Sequence, residues 1–202
     1  MEYLLPIYSS WMLCIPVREK YILMTNILHC QSPEKHPAAE NSTDTKTTTV
    51  AQGSFVIRES LLSGEKALHA SMAFQEGEVL SEIGFRSLVI APNYLSVQFG
   101  EAEHGMLFPA HLEYINHSCS PNVFFDVDAR HLRALRTIAP GEELCFFYPS
   151  TEWSMNQSFQ CNCRADNCLG FIEGAAHLEE SVLESYELSN HIKAMKQRNR
   201  AA

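Results

Sequence analysis

The sequence predicts a mainly β fold with helix at its C-terminal end, a β-rich α+β class. The first observation is a series of β-prone runs bounded by Gly, Pro, Asn or acidic residues: Ser54–Ile57, Val79–Ile83, Ser87–Ile90, Tyr94–Phe99, Val123–Val127, His131–Leu135 and Cys145–Tyr148. The second is that no long amphipathic helix separates these runs, which excludes the βαβ spacing of a Rossmann sheet. The third is a segment without Gly or Pro near the C-terminus that has helical periodicity.

Residues 1–53 are predicted to be an N-terminal extension and a polar linker that are poorly ordered. The apolar stretch Tyr3–Val17 is shorter than the roughly 20 residues that cross a bilayer. No Lys or Arg precedes it, and Glu2 does, so it does not fit a secretory signal. Gln31–Thr49 is rich in Thr, Ser, Lys and Glu, as linkers are. We therefore expect an intracellular protein of the nucleus or cytoplasm, not secreted and without membrane contact.

The C-terminal segment, residues 176–202, is predicted to be one amphipathic helix. Leu178, Val182 and Tyr186 recur at four-residue steps. The acidic residues lie early in the segment and the basic residues lie late, which complements the helix dipole.

Charge is distributed unevenly along the chain. The 202 residues carry a formal net charge of −9, and residues 54–175 hold 15 acidic and 7 basic side chains, a net −8. That balance argues against direct nucleic-acid binding, which needs a basic surface. It suits a basic partner, although an acidic surface is also common for solubility alone.

Three of the seven cysteines lie close together, in the pattern C-x-C-x4-C formed by Cys161, Cys163 and Cys168. Thiolates on one tight loop fit a tetrahedral zinc ion, which needs a fourth ligand from elsewhere in the chain. Disulfides are the alternative, but the odd cysteine count and the clustering argue against them.

Three motifs in order resemble the SET domain family. Residues 116–122 read N-H-S-C-S-P-N, residues 141–148 read G-E-E-L-C-F-F-Y, and the cysteine loop is followed by Gly170. Together they resemble the N-H-S-C-x-P-N signature, the G-E-E-L-T-F-D-Y strand and the post-SET zinc loop of that family, over about residues 61–175. The resemblance is to a small stand-alone SET protein.

The resemblance implies a fold, a domain division and an activity. The SET fold consists of small curled β-sheets with a pseudoknot, here predicted for residues 54–158, followed by the post-SET zinc loop at 159–175 and the C-terminal helix. Family members transfer a methyl group from S-adenosylmethionine to a lysine ε-amine. The implied protein is a protein lysine N-methyltransferase.

The resemblance also supplies the missing metal ligand. In relatives with a post-SET loop the cysteine of N-H-S-C joins the three loop cysteines, which predicts that Cys119 binds a structural Zn²⁺ with Cys161, Cys163 and Cys168. The alternative for Cys119 is a small buried hydrophobic residue. Cys145 is expected to be a core residue.

By resemblance Tyr148 is the catalytic tyrosine, at the junction of the cofactor and the lysine. Phe146 and Trp153 are predicted to wall the lysine channel, and Phe146 favours di- or trimethylation. The residues predicted to bind the cofactor are Asn116, His117, Lys66, Leu68, Phe159 and Leu169. For Trp153 and Phe159, plain core packing is an equal alternative.

One departure from the family pattern bears on activity. The glycines of the family's G-x-G stretch fall on Glu65 and Ala67, with Gly64 one place early. Glu and Ala allow close backbone approach and positive φ less readily than Gly. The sequence therefore leaves two functions open, an active methyltransferase or a catalytically silent SET module that binds lysine-rich peptides.

The expected partner is a lysine-containing protein or peptide, histone or other, and the chain is expected to be a monomer. A purely structural zinc protein would not explain why the N-H-S-C motif and the terminal tyrosine keep their places.

Overall fold

The computed structural model describes residues 44–201, and the predicted mainly β class is confirmed there. The N-terminal extension, most of the linker, Cys14 and Cys30 lie outside the described residues. The described strands are β1 (Thr45–Val50), β2 (Phe55–Ser60), β3 (Lys66–Ala70), β4 (Val79–Glu82), β5 (Gly84–Val89), β6 (Ser96–Gln98), β7 (His104–Phe108), β8 (Asn116–His117), β9 (Val123–Asp126), β10 (His131–Ala134), β11 (Cys145–Phe146), β12 (Phe159–Gln160) and β13 (Phe171–Ile172). The helices are α1 (Glu180–Leu183) and α2 (Asn190–Ala201), and 3-10 turns lie at Ala51–Gly53, Ala110–Tyr114, Tyr148–Ser150 and Ala175–His177.

Within this range the strands form small separate sheets. Three antiparallel sheets have the strand orders β1-β2-β3, β4-β10-β9 and β5-β7-β6. Two short pairs complete the set, with β8 parallel to β11 and β12 antiparallel to β13. The β8–β11 pair joins strands that are distant in sequence, and it brings the N-H-S-C motif and the G-E-E-L strand together.

The first sheet begins earlier than the sequence predicts. Strand β1 lies in the segment assigned to the linker, and it pairs with β2 from Thr45 opposite Ser60 to Val50 opposite Phe55. The sequence TKTTTV is polar but rich in β-branched threonine, which favours an exposed edge strand. Hydrophobicity alone therefore places the start of the domain too late.

The largest core cluster lies between the sheets and is lined by aliphatic and aromatic side chains. Its fully buried members include Phe55, Leu68, Leu107, Leu112, Phe125, Leu132, Ile138 and Leu144. Burying each such side chain contributes about 1.5–3 kcal/mol. Phe146 belongs to this cluster and Tyr148 packs against it, so the candidate catalytic residue is anchored on the core.

The C-terminal segment forms two short helices where the sequence predicts one. The chain leaves the helical path between Leu183 and Asn190, where Tyr186 stacks on Phe147 with ring centroids 3.7 Å apart. Ser189 then hydrogen-bonds through Oγ to the carbonyl of Ser150 at 2.9 Å. These tertiary contacts outweigh the local helical preference, which is worth only tenths of a kcal/mol per residue.

Among residues 44–201, no helix is long and apolar enough to span a membrane.

Candidate active site and metal centre

The parallel pairing of β8 with β11 builds the centre of the site. Asn116 lies opposite Cys145, and His117 lies opposite Phe146. Asn122 fixes the register, because its Oδ1 accepts from the Cys145 amide at 2.8 Å and its Nδ2 donates to the Glu143 carbonyl at 2.7 Å. The two family-like motifs are therefore hydrogen-bonded to each other.

Tyr148 follows β11 closely and lies among aromatic rings. Its ring centroid is 4.6 Å from that of Phe146, 5.2 Å from that of His117 and 5.9 Å from that of Phe159. The hydroxyl donates to the carbonyl of Ile115 at 3.4 Å. Burial raises the pKa of Tyr148, and so do the carboxylates of Glu143 and Glu152. The phenol therefore stays protonated and can orient a neighbouring group by hydrogen bonding.

The imidazole of His117 is fully buried and both of its nitrogens are engaged. Nδ1 accepts from the Tyr148 amide at 3.2 Å, so the proton lies on Nε2, which donates to Cys119 Sγ at 3.4 Å. Burial lowers the pKa of His117 to about 3, which keeps the ring neutral. The side chain of His117 therefore connects the Tyr148 backbone with Cys119. Only the backbone of His117 remains for the cofactor contact that the sequence predicts.

Four cysteine thiols converge in one cluster. The sulfurs of Cys119, Cys161, Cys163 and Cys168 lie within 4.8 Å of one another, and the Cys119 and Cys161 sulfurs are 4.0 Å apart. A tetrahedral zinc ion with Zn–S bonds near 2.3 Å separates its sulfurs by about 3.8 Å. The cluster has the ligand type, number and spacing that Zn²⁺ requires.

Two segments close over Cys119. The Leu169 amide donates to Cys119 Sγ at 3.4 Å. The Cys119 carbonyl accepts from Asn167 Nδ2 at 2.7 Å and from the Tyr186 hydroxyl at 2.8 Å. The C-terminal segment is therefore tied to the cysteine loop.

Asn116 links β3 to the G-E-E-L turn. Its Nδ2 donates to the Lys66 carbonyl at 3.2 Å and to Glu143 Oε1 at 2.9 Å. Burial raises the pKa of Glu143 to about 7, against the opposing effects of Asn116 and Arg58. Glu143 is a residue whose role the sequence does not predict, although its motif is recognised.

The remaining predicted site residues differ in placement. Phe159 joins the aromatic group, with its centroid 5.5 Å from that of His117. Leu68 is fully buried in the core, so only its backbone can meet a cofactor.

Trp153 packs away from the cavity beside Tyr148, and its place in a lysine channel stays a prediction. Its side chain packs in the C-terminal cluster with Phe147, and it does not line the cavity beside Tyr148. The turn at Gly174 lies directly against the Trp153 backbone, because a Cβ at position 174 would come within 2.6 Å of the Trp153 carbonyl oxygen. Only glycine allows this close approach of the turn to the Trp153 backbone.

The cavity opens on one side of Tyr148. Its volume is about 60 Å³, and its lining includes Leu107, Ile115, Phe146, Tyr148, Glu113 and Glu152. The first four of these residues are apolar or aromatic, and Glu113 and Glu152 are the two acidic residues of the lining. The sequence does not predict Glu152 as a site residue. The one feature that could have indicated it is its position four residues after Tyr148.

Cys145 is fully buried, in agreement with a place in the core. It takes no part in the four-cysteine cluster.

Comparison with known proteins supports the family resemblance of this site. The SET domain family model matches residues 47–149. A protein named Methyltransferase flvH from Aspergillus flavus is 42% identical over 124 residues, which cover 60% of this chain and 69% of flvH. The H3 lysine-36 specific histone-lysine N-methyltransferase of Saccharomyces cerevisiae is 30% identical over 122 residues, which cover 54% of this chain but only 16% of the yeast protein.

Among solved structures, the methyltransferase domain of human histone-lysine N-methyltransferase SETMAR aligns with a TM-score of 0.40 at 18% identity, over 54% of each chain. That similarity is weak, and the family model and flvH support the assignment without it. The chain belongs to the SET domain family, and flvH and the yeast relative are both named as methyltransferases.

Proposed function

We propose that this protein is an S-adenosylmethionine-dependent protein lysine N-methyltransferase. The observation that carries the proposal is the position of Tyr148, whose protonated phenol packs against the aromatic group around His117 and also lines the cavity. A methyl donor on one side and an amine on the other would meet at that hydroxyl. The matched relatives include histone-lysine methyltransferases, which agrees with this chemistry.

The residues near Tyr148 suit a sulfonium cofactor. Aromatic faces attract a cation, and the Phe146, Tyr148 and Phe159 rings lie together there. Asn116, the backbone of His117 and β3 at Lys66 are the further groups that we propose to hold the cofactor, with Leu169 from the cysteine loop. When bound, S-adenosylmethionine supplies an electrophilic methyl group.

The cavity suits the acceptor. A lysine amine has a pKa near 10.4 and must lose a proton before it can attack a methyl carbon. The cavity beside Tyr148, with a volume of about 60 Å³, offers a partly apolar site for such an amine. Burial there favours the neutral amine, and the Tyr148 hydroxyl can accept or donate a hydrogen bond that aligns it for in-line transfer.

Phe146 sets the space beside the transferred methyl groups. Its side chain is buried and packs on Phe125 with ring centroids 4.5 Å apart. A phenylalanine brings no hydroxyl to hold a water molecule, so the space stays open to further methyl groups. We propose di- or trimethylation as the product.

The four cysteines would hold a structural zinc ion. All four ligand positions are supplied by the protein, which is the arrangement of structural rather than catalytic zinc sites. The ion would fix the loop that carries Phe159 and Leu169 beside Tyr148.

A silent SET module that binds lysine-rich peptides is the second candidate, and one observation favours it. Glu65 and Ala67 replace the glycines of the family pattern, and Ala67 lies within the paired strand β3 opposite Arg58. Gly64 retains the turn, with φ +74°. The tight turn is therefore preserved, while Glu65 and Ala67 carry side chains where the family pattern has glycine.

A calorimetric titration with S-adenosylmethionine separates the two candidates. The methyltransferase predicts saturable binding at one site, and the silent module predicts none. A screen of lysine-peptide arrays read by mass spectrometry would then identify the substrate, which we propose to be a histone or another protein of the nucleus or cytoplasm.

A further inference from the structure

Glu152 is a buried acid on the same side of the chain as Tyr148. Glu152 is 9% exposed, and its backbone amide donates to the Tyr148 carbonyl at 3.0 Å. Both residues line the cavity, and the Glu152 carboxylate is close enough to the Tyr148 phenol to act on it electrostatically.

The carboxyl group is held through one of its two oxygens. Glu152 Oε1 accepts from the Gln98 amide at 2.7 Å and from Thr151 Oγ1 at 3.4 Å. Within the part of the chain that the structure describes, no hydrogen-bond donor reaches Oε2. The side chain is therefore oriented, and it keeps an oxygen for a further partner.

No cation compensates this acid among the described residues, in contrast to its neighbour in the cavity. Glu113 pairs with Arg86 at 2.8 Å, whereas Glu152 is in no ion pair of residues 44–201. Burying a carboxylate without a partner costs free energy that a cationic ligand would recover. A buried, unpaired acid that faces a cavity points to a cation as its occupant.

We propose that Glu152 binds the ammonium group of the acceptor lysine and takes one of its protons before methyl transfer. In that step one N–H bond breaks, its electron pair stays on nitrogen, and the proton bonds to a Glu152 oxygen. The products are a neutral amine and a neutral carboxylic acid. The inference rests on the proposed function, since it identifies how this cavity would prepare the amine.

The same geometry selects lysine over arginine. A guanidinium binds a carboxylate best through two parallel hydrogen bonds, which need both oxygens. Oε1 of Glu152 is already occupied by Gln98 and Thr151, which leaves one oxygen for a point charge. A compact ammonium meets that requirement, whereas a guanidinium gives up its second parallel hydrogen bond there.

Several other titratable groups lie near Glu152, and they can also contribute to the pH dependence of a Glu152 variant. Tyr148 and Glu113 share the cavity, and Glu143 acts on Tyr148. From α2, His191 Nε2 donates to the Thr151 carbonyl at 2.8 Å, and His104 lies near His191. Burial raises the pKa of Glu152 to about 7, which suits a group that exchanges a proton near neutral pH.

The first test uses binding and not turnover. The full chain, loaded with zinc and S-adenosylhomocysteine, is titrated by NMR with n-butylammonium, n-propylguanidinium and n-butanol. Wild type should bind n-butylammonium at least tenfold more tightly than either other probe, and Glu152→Gln should lose that preference. Gln keeps an oxygen for the Gln98 amide, and the exposed Glu103→Gln serves as the charge-matched control. Equal n-butylammonium affinity in wild type and Glu152→Gln overturns the proposal.

The second test follows the proton. With a peptide that wild type methylates, Glu152→Gln should lower kcat at least tenfold at pH 7 and recover as pH rises, since free hydroxide then removes the proton. A kcat–pH profile unchanged by the substitution overturns the proposal. If wild type methylates no peptide while n-butylammonium still binds at Glu152, the proposed enzyme fails and the cation site stands.

Discussion

The imidazole Nε2 of His117 donates to Cys119 Sγ at 3.4 Å. Its other nitrogen accepts from the backbone of Tyr148 at 3.2 Å. One ring therefore connects a thiol of the cysteine cluster with the strand end that presents the candidate catalytic phenol. Metal occupancy and the position of Tyr148 should depend on each other through His117.

Replacing His117 by Ala should weaken zinc binding by about 10–100-fold, the usual effect of losing a hydrogen bond to a metal ligand. The measurement is a competition titration with a chromophoric chelator. The exposed His177→Ala is the matched control and should bind zinc as wild type does. Unchanged zinc affinity in His117→Ala would show that the ring does not support the cluster.

Replacing Tyr186 by Phe removes the hydroxyl that donates to the Cys119 carbonyl and accepts from Asn167 Nδ2, but keeps the stack on Phe147. We expect a loss of about 1–2 kcal/mol in unfolding free energy, because Asn167 still donates to the Cys119 carbonyl. Urea denaturation of the zinc-bound protein measures it. A loss equal to that of Tyr186→Ala would place the contribution of Tyr186 in its hydroxyl and not in its ring.

The raised pKa of Glu152 predicts a pH dependence of stability. Its folded-state pKa is about 7 against an ordinary 4.5, so the folded state binds the proton more tightly than the unfolded state. The resulting stabilisation is full below about pH 4.5 and is lost as pH rises through 7.

Between pH 5 and pH 8 the wild type should therefore lose about 1–3 kcal/mol more unfolding free energy than Glu152→Gln. The difference between the two proteins cancels the contributions of His69 and Glu143, whose pKa values are also shifted. Chemical denaturation at several pH values measures it. Parallel curves for the two proteins would mean that Glu152 is not a buried carboxylate of raised pKa.

The excess of acidic residues in the domain predicts that salt weakens substrate capture. Residues 54–175 carry a net −8, and a basic peptide would be attracted to that surface. Raising the salt from about 0.05 to about 0.5 M shortens the screening length severalfold and should raise KM while leaving kcat nearly constant. A KM that does not change with salt would contradict electrostatic capture.

Much of the site follows from the sequence, because short motifs encode both the ligands and their partners. The family resemblance predicts all four members of the cysteine cluster, and the structure brings their thiols together. The N-H-S-C and G-E-E-L motifs identify the family, and the structure pairs Asn116 of the first with Cys145 of the second. In each case the type and order of the residues are enough to recognise the site from the sequence.

What the sequence does not predict depends on tertiary packing. Tyr186 lies where the C-terminal helix is interrupted, because its ring stacks on Phe147, a contact that no local pattern reveals. Trp153 packs against the cluster of Phe147, Ala175, Leu183 and Ile192, another contact between segments that no local pattern reveals. Glu152 and the ring of His117 acquire their roles only from burial and from partners distant in sequence.

The most direct test of the central claim is methyl transfer by Tyr148→Phe. The variant loses one hydroxyl, which donates to the Ile115 carbonyl at 3.4 Å, and it should keep its fold, its zinc and its cofactor affinity. With deuterated-methyl S-adenosylmethionine and the peptide found by array, mass spectrometry should show labelled lysine for wild type and a rate at least about 100-fold lower for the variant. Equal labelling by wild type and Tyr148→Phe, or no labelled lysine from wild type on any peptide, would contradict the account.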